Sequence, residues 1–522
     1  MFGEAVERAL KCMRNEKLVY KDYIPPEAID IGYRLYENTK DIWNDVREKV
    51  CKLLLDELPY EYAYPTIWWY SVVCAIYHDP MTYHNFIKYV RDNQDKFSSN
   101  TLFFLYYQFK FMSFVSSDLD GADGRRELWL LYNDIIDKYK NKISVSLERI
   151  PVSERDDNLI VVITEQFILT KHGPTKTALD RCKAIITNMN KRVLLINTAE
   201  ILSNVGEIPF CCAQSGSYMP EKMSEKYQDW KGVQVPYIQC RRNMPDISSI
   251  NDLLSMIREL APARIVSIGG SSVVANLADK IIPAITVGLG PSDLEYTTTS
   301  FQTLSRKVND NDRKLLSAIG LSESHVIESV FTSSLKPQTE KITKADLGIP
   351  EDSFLIIVVG ARLDMEVTDE FLDMLEATVE GNMILGFLGK FDEFDSKISR
   401  YDHLRNCSRF FGFCSDILSR MEICDLYINP HRKGGGTSCV EAMFKGVPVV
   451  TCGYGDVSVN VGDAFWVEDY SEMKDKILQY YNDKEYYSLM SKKAKKRAEL
   501  LLDTEGEFIK ILDEVDKREA LM

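Results

Sequence analysis

From Leu159 onward, short continuous apolar runs alternate with stretches of helical periodicity, and this limits the possible folds more than any other feature of the chain. "LIVVITE" (159–165), the helical pattern "TKTALDRCKAIITNMN" and "RVLLINT" read as strand, helix, strand. "ARIVSIGG" (263–270) and "AITVGL" (284–289) add two more strands. Unbroken hydrophobicity with β-branched residues marks parallel strands buried on both faces, which need helical crossovers. The pattern restarts near Leu347 with "FLIIVVG", "NMILGFLG" (382–389), "DLYINP" (425–430), "GVPVVTC" (446–452) and "AFWVEDY" (464–470). The expected fold class is therefore α/β, with two doubly wound, Rossmann-like domains, at 159–340 and 345–500, and a C-terminal helix over 501–522.

Residues 1–150 differ. Apolar positions there recur at three- and four-residue steps, as in "AIDIGYRLYENTKDIWNDVREKVCKLLLDEL", which predicts an N-terminal α-helical domain. Its many Tyr, Phe and Trp read first as core packing. A recognition or self-association module is the competing reading.

The chain has 522 residues and a net charge of −15, which disfavours a general nucleic-acid binder. Its 12 cysteines include no CxxC pair, and most lie in apolar runs, the usage of reduced thiols in a cytoplasmic protein. The adjacent Cys211 and Cys212 are poorly laid out for a simple bridge. No metal-ligand spacing of His and Cys is evident, no signal peptide is recognisable, and the longest apolar stretch is too short to span a bilayer.

Chemistry concentrates in "NPHRKGGGTSCVEAM" (429–443). In open α/β sheets ligands bind beyond the carboxyl ends of the strands, and here a strand runs through a triple-glycine loop into a helix. Gly434, Gly435 and Gly436 let backbone N–H groups approach a ligand. Thr437 and Ser438 add hydroxyls at the helix N-terminus, and Arg432 and Lys433 add positive charge, so a phosphate or diphosphate is the expected ligand. The plain alternative is a glycine-rich turn with Thr437 as an N-cap. The spacing is not that of a Walker loop. Glu441 lies one turn into the helix, placed for ribose hydroxyls, with a surface or capping glutamate as the alternative. Arg362, at the end of "FLIIVVGAR", would neighbour the loop if its strand is central.

The "EAMFKGVPVV" segment (441–450), the entry "GIPEDSFLIIVVGARLD" and the loop "CGYGDVSVNVG" (452–462) resemble, in order and spacing, the nucleotide-sugar domain of GT-B fold glycosyltransferases, the family 4 or group 1 type. The resemblance covers about 159–500 and implies two domains facing across a cleft. It implies a UDP-sugar as co-substrate and no resident cofactor or metal. Gly435, Gly436, Thr437 and Ser438 would contact the diphosphate, Glu441 would hold the ribose, and Arg362, Lys433 and Lys390 would neutralise the leaving group. It implies an acceptor, a protein, glycan or lipid-linked group, on the 159–340 domain. His172, in the loop after the first strand and one of only six histidines, would be the general base, with Glu165 competing. Many retaining members carry a carboxylate eight positions before the ribose glutamate. This chain has Lys433 there, so the stereochemical outcome is not implied. The rival readings are a non-catalytic partner or chaperone of the same fold and a nucleotide-sugar epimerase or phosphorylase. Membrane contact is expected to be at most peripheral, and self-association through the helical domain is a further expectation.

Overall fold

The computed structural model describes residues 2–14, 24–39, 42–170, 172–201 and 218–521; Cys211 and Cys212 lie outside them. The N-terminal domain is built from α1 (Phe2–Arg14), α2 (Pro26–Thr39), α3 (Asn44–Asp56), α4 (Ala63–Ile76), α5 (Pro80–Asp92), α6 (Ser99–Val115) and α7 (Ala122–Lys140). Local signals set several of these starts. The Asp79 carboxylate accepts from Thr82 N–H ahead of Pro80, and Ser98 Oγ accepts from Thr101 N–H. α4 is apolar all round and buried on nearly every side, which makes it the centre of the domain. Gly32 on α2 is required there, since a Cβ would lie 2.6 Å from the Trp68 ring. Trp68, Trp69, Trp129, Tyr83, Tyr106 and Tyr132 are fully buried, so the aromatics are core.

The first sheet contains β1 (Asp156–Thr164), β2 (Arg192–Asn197), β3 (Tyr227–Trp230), β4 (Val233–Gln239), β5 (Pro262–Ile268), β6 (Ala284–Val287), β7 (Phe301–Leu304) and β8 (Val326–Glu328). Their order is β3-β4-β2-β1-β5-β6-β7-β8, and every pairing is parallel except β3 with β4. The helix α8 (Gly173–Thr187) follows β1. Strands β3, β4, β7 and β8 do not stand out in the sequence. β3 and β4 form a polar edge hairpin, and β7 and β8 span only four and three residues.

The second sheet contains β9 (Phe354–Gly360), β10 (Met383–Gly389), β11 (Ser408–Gly412), β12 (Leu426–Asn429), β13 (Val449–Cys452) and β14 (Trp466–Val467), parallel throughout, in the order β11-β10-β9-β12-β13-β14. "AFWVEDY" supplies only the two residues of β14. A 3-10 turn over Asp463–Phe465 precedes them, and Asp469 caps the next helix by accepting from Glu472 N–H.

The chain thus has two Rossmann-like sheets and a helical N-terminal domain. The helical domain and the first α/β domain share one apolar core, in which Trp129 and Tyr132 meet Val273, Ala275 and Leu277. The opposite face of the first sheet is covered by α8 and by the final helix, Thr504–Glu519, through Phe508, Ile511, Leu512 and Val515. That helix returns from the second α/β unit to the first, where Glu519 accepts from Arg155 at 2.7 Å and also pairs with Arg264. Among the described residues no helix is long and apolar enough to cross a membrane.

Trp129 joins the helical domain to the first sheet through its ring and through Nε1, which donates to the Thr297 carbonyl at 3.0 Å. Trp129→Ala is expected to lower stability by about 3–5 kcal/mol in urea denaturation of the full chain. A loss below about 1 kcal/mol would show that the interface is not a packed core.

Candidate active site

Each sheet reverses its strand order at one point, between β1 and β5 in the first and between β9 and β12 in the second. Ligands of doubly wound sheets bind at such points. The loop after β12 is the triple-glycine segment, and the loop after β9 carries Arg362.

Gly435 has φ +103° and is the N-cap of the helix Gly436–Lys445. A side chain there would be strained, and its Cβ would lie 2.8 Å from Arg432 Nη2. No side chain caps this helix. The reading of Thr437 as an N-cap therefore fails, and the first-turn N–H groups carry the positive end of the helix dipole without a side-chain cap. Gly434 admits Arg362, whose Nη2 would lie 3.0 Å from a Cβ at that position.

The two basic residues before the glycines do not serve the loop as its sequence suggests. Arg432 is buried and turned inward. It donates to Asn429 Oδ1 at 2.8 Å and to the Val359 carbonyl at 2.6 Å, and it pairs with Glu366. Its fixed fork of donors suits that clamp between β12 and β9 better than a mobile ligand. Lys433 Nζ lies 2.8 Å from Asp120 of the helical domain and 3.2 Å from Asp293 of the first α/β domain. Burial opposes its charge, but those two carboxylates hold it above the usual lysine range. Lys433 is thus a tie among three domains, in place of the expected leaving-group cation. Arg125 holds the same Asp293 at 2.8 Å, and Tyr454 OH donates to Asp120 at 3.1 Å. The His431 ring stacks on Tyr454 at 4.5 Å.

Arg362 is where the sequence reading puts it. Its Nη2 donates to Glu366 at 2.7 Å, and its guanidinium lies 4.8 Å over the Phe114 ring of α6. Its Nε is buried without a partner. Ser438 Oγ donates to the Gly435 carbonyl at 3.0 Å and lies 2.9 Å from Tyr427 OH, so its hydroxyl is engaged inside and its contribution reduces to the backbone N–H. Lys390 follows β10, but its side chain is largely in solvent, paired with Asp392 at 3.2 Å.

Thr437 faces Gly173, Pro174, Lys176, Leu289 and Ser333 across a cavity of about 70 Å³. The N-terminus of α8 therefore opposes the N-terminus of the 436–445 helix. His172 is the N-cap residue of α8, and its Nδ1 is buried without a partner. Burial, and then Lys176, push the ring below its ordinary value. Glu441 is partly buried. Burial raises its carboxyl to about 7, opposed by the facing Lys176 and Lys336. Lys176 and Lys336 escaped the sequence reading, although Lys176 follows His172 by one turn in "KHGPTK". Asp456, in the first turn of the helix Gly455–Val461 that follows β13, also escaped it. Its Oδ1 accepts from Ser292 at 2.9 Å, and burial raises its carboxyl to about 7.

Because Arg432 is a buried partner of Glu366, Arg432→Ala is expected to cost about 3–5 kcal/mol of stability, read as a lowered denaturation midpoint. Unchanged stability with weakened anion binding would return Arg432 to the ligand.

Comparisons with known proteins agree with this geometry. Residues 339–497 match the family model described as glycosyl transferases group 1. A mutant of the O-GlcNAc transferase of Thermobaculum terrenum aligns over 99% of this chain and 97% of that chain, at 11% identity and a TM-score of 0.55. A glycosyltransferase from Rickettsia africae aligns over 70% of this chain and 99% of its own, at 12% identity and a TM-score of 0.50. No curated protein sequence matches. The chain is a GT-B fold protein whose C-terminal domain matches the group 1 glycosyl transferases, which supports a role in glycosyl transfer.

Proposed function

We propose that this protein transfers a sugar from a nucleoside diphosphate sugar, a UDP-sugar, to a hydroxyl or amide of a protein or glycan acceptor. The observation that carries the reading is the uncapped first turn of the 436–445 helix, opened by Gly435 at a switch point and opposed by the N-terminus of α8. A departing diphosphate gains negative charge. Fixed N–H groups, a helix dipole and Arg362 would stabilise it where that charge develops, without a metal ion. Thr437 would add a hydroxyl. Glu441 would accept from the ribose, with Lys176 and Lys336 supplying positive charge from across the cleft. The name of the Thermobaculum relative, an O-GlcNAc transferase, fits a donor of this class.

The cavity of about 70 Å³ is far below the ~300–1,000 Å³ of ordinary ligand pockets. Donor entry then requires the two α/β domains to separate, and re-closure would exclude water from the reacting centre.

Glu441→Ala is expected to weaken UDP binding about tenfold or more in calorimetry, with an unchanged melting temperature. Unchanged affinity would remove Glu441 from the ribose. His172→Ala tests the base that the sequence pattern suggests: a loss of about 100-fold in turnover with little change in UDP affinity would place His172 in the reaction, and wild-type turnover would remove it. UDP binding by a chain that never releases UDP from a UDP-sugar would favour a non-catalytic partner.

A further inference from the structure

At the other switch point, beyond β1 and β5, a group of acids is enclosed between the first sheet and the helical domain. Glu165 directly follows β1 and is only 2% exposed, and its Oε2 is buried without a partner. Its other oxygen lies against Gly269, where a Cβ would approach to 2.9 Å. From α6, Lys110 Nζ reaches in, 2.9 Å from Ser271 Oγ and 3.3 Å from Glu295. Tyr106 OH also meets Ser271 Oγ, at 2.9 Å. The groups that act on Glu165 are Lys110, Tyr106 and Tyr107 from α6, Tyr132 from α7, Glu200 after β2, and Glu295 from the loop after β6.

This buried group borders the donor cleft through Leu289. Leu289 N–H donates to Glu295 at 3.2 Å, and the Leu289 side chain lies beside Gly269 and also lines the cavity shared with Gly173 and Thr437. Lys110 and Glu295 keep part of their side chains exposed, so the group is not sealed.

We propose that Glu165 takes the proton from the acceptor nucleophile, and that Lys110 of the helical domain is the positioning residue that supports its charged form. The inference rests on the transferase reading. The acceptor's lone pair forms the bond to the anomeric carbon. The bond from that carbon to the β-phosphate oxygen breaks, and its electron pair leaves on the diphosphate. The acceptor's proton passes to Oε2 of Glu165.

His172 is worse suited to that step. Protonating it would place a cation at the N-terminus of α8, one turn from Lys176, and both oppose the charge. At Glu165 the proton instead neutralises a buried anion. Burial raises that carboxyl to about 8, against the pull of Lys110, with Glu295 and Glu200 raising it further. The helical domain thereby becomes part of the acceptor site through Lys110, beyond its role in the core.

The two bases predict different pH profiles. Full-length protein is assayed for UDP release from UDP-glucose and UDP-N-acetylglucosamine, with water as acceptor, after UDP binding has been measured by calorimetry. Turnover is expected to rise with pH around a midpoint near 8, since the acting base must be ionised. Glu165→Gln is expected to lose that limb and about 100-fold in turnover at unchanged UDP affinity. Lys110→Met is expected to move the midpoint upward, a shift that a purely structural role would not produce. If Glu165→Gln does not fold, the Lys110→Met shift decides. A limb below 6.5 that disappears in His172→Ala overturns the proposal, as does a Glu165→Gln protein that keeps the wild-type limb. UDP binding without a limb near 8 overturns this assignment and leaves the donor site standing. Absence of both UDP binding and turnover overturns the transferase reading as well.

Discussion

The buried pairing of Arg432 with Glu366 determines the form of the triple-glycine loop. Glu366 takes Arg432 on one oxygen and Arg362 on the other, so one carboxylate fixes a structural arginine and a cleft-facing one together. Arg432 also reaches the Val359 carbonyl at the end of β9 and Asn429 at the end of β12, which closes the gap between the two strands at the switch point. A charge enclosed there must be fully paired, and the loop geometry follows from that pairing. Gly435 takes its left-handed conformation over the Arg432 guanidinium, and the helix that follows starts with its N–H groups free of side-chain caps.

The second constraint is the junction at Lys433. Its ammonium joins the glycine loop to Asp120 and Asp293, residues of the two other domains; Arg125 completes the charge balance and the Tyr454 hydroxyl adds a hydrogen bond to Asp120. Asp456 adds a neighbouring contact between the helix Gly455–Val461 and Ser292. The helical domain is therefore tied to the second α/β domain through Asp120 and to the first through Lys110 and Trp129. It braces both halves of the cleft, which the shared apolar core alone would not require.

Much of this was legible in the sequence because it depends on local pattern. Continuous β-branched runs located β1, β2, β5, β9, β10, β12 and β13, and the glycine loop was placed correctly between a strand and a helix. The adjacency of Arg362 followed once β9 was taken as central, and β9 does pair with both β10 and β12. The direction of charge was not legible. Arg432, Lys433 and Lys390 are all cations near strand ends, yet one is a buried clamp, one joins domains and one lies in solvent. For Arg432 that choice depends on Glu366, 66 residues away, and for Lys433 on Asp120 and Asp293 in other domains, and no local spacing records it. For the same reason Lys110 and Lys176 were missed, since each meets its carboxylate only after the domains pack. The short strands β7 and β8 and the polar edge pair β3 and β4 lack the apolar length that marks a buried strand.

The central claim is that the first turn of the 436–445 helix receives a diphosphate. Hydrogen exchange with and without saturating UDP, resolved to the peptides spanning Pro430–Ala442, tests it most directly. The account predicts slowed exchange in that segment and in the loop bearing Arg362, because the uncapped N–H groups would gain acceptors. UDP binding that protects other segments and leaves 430–442 unchanged would contradict it.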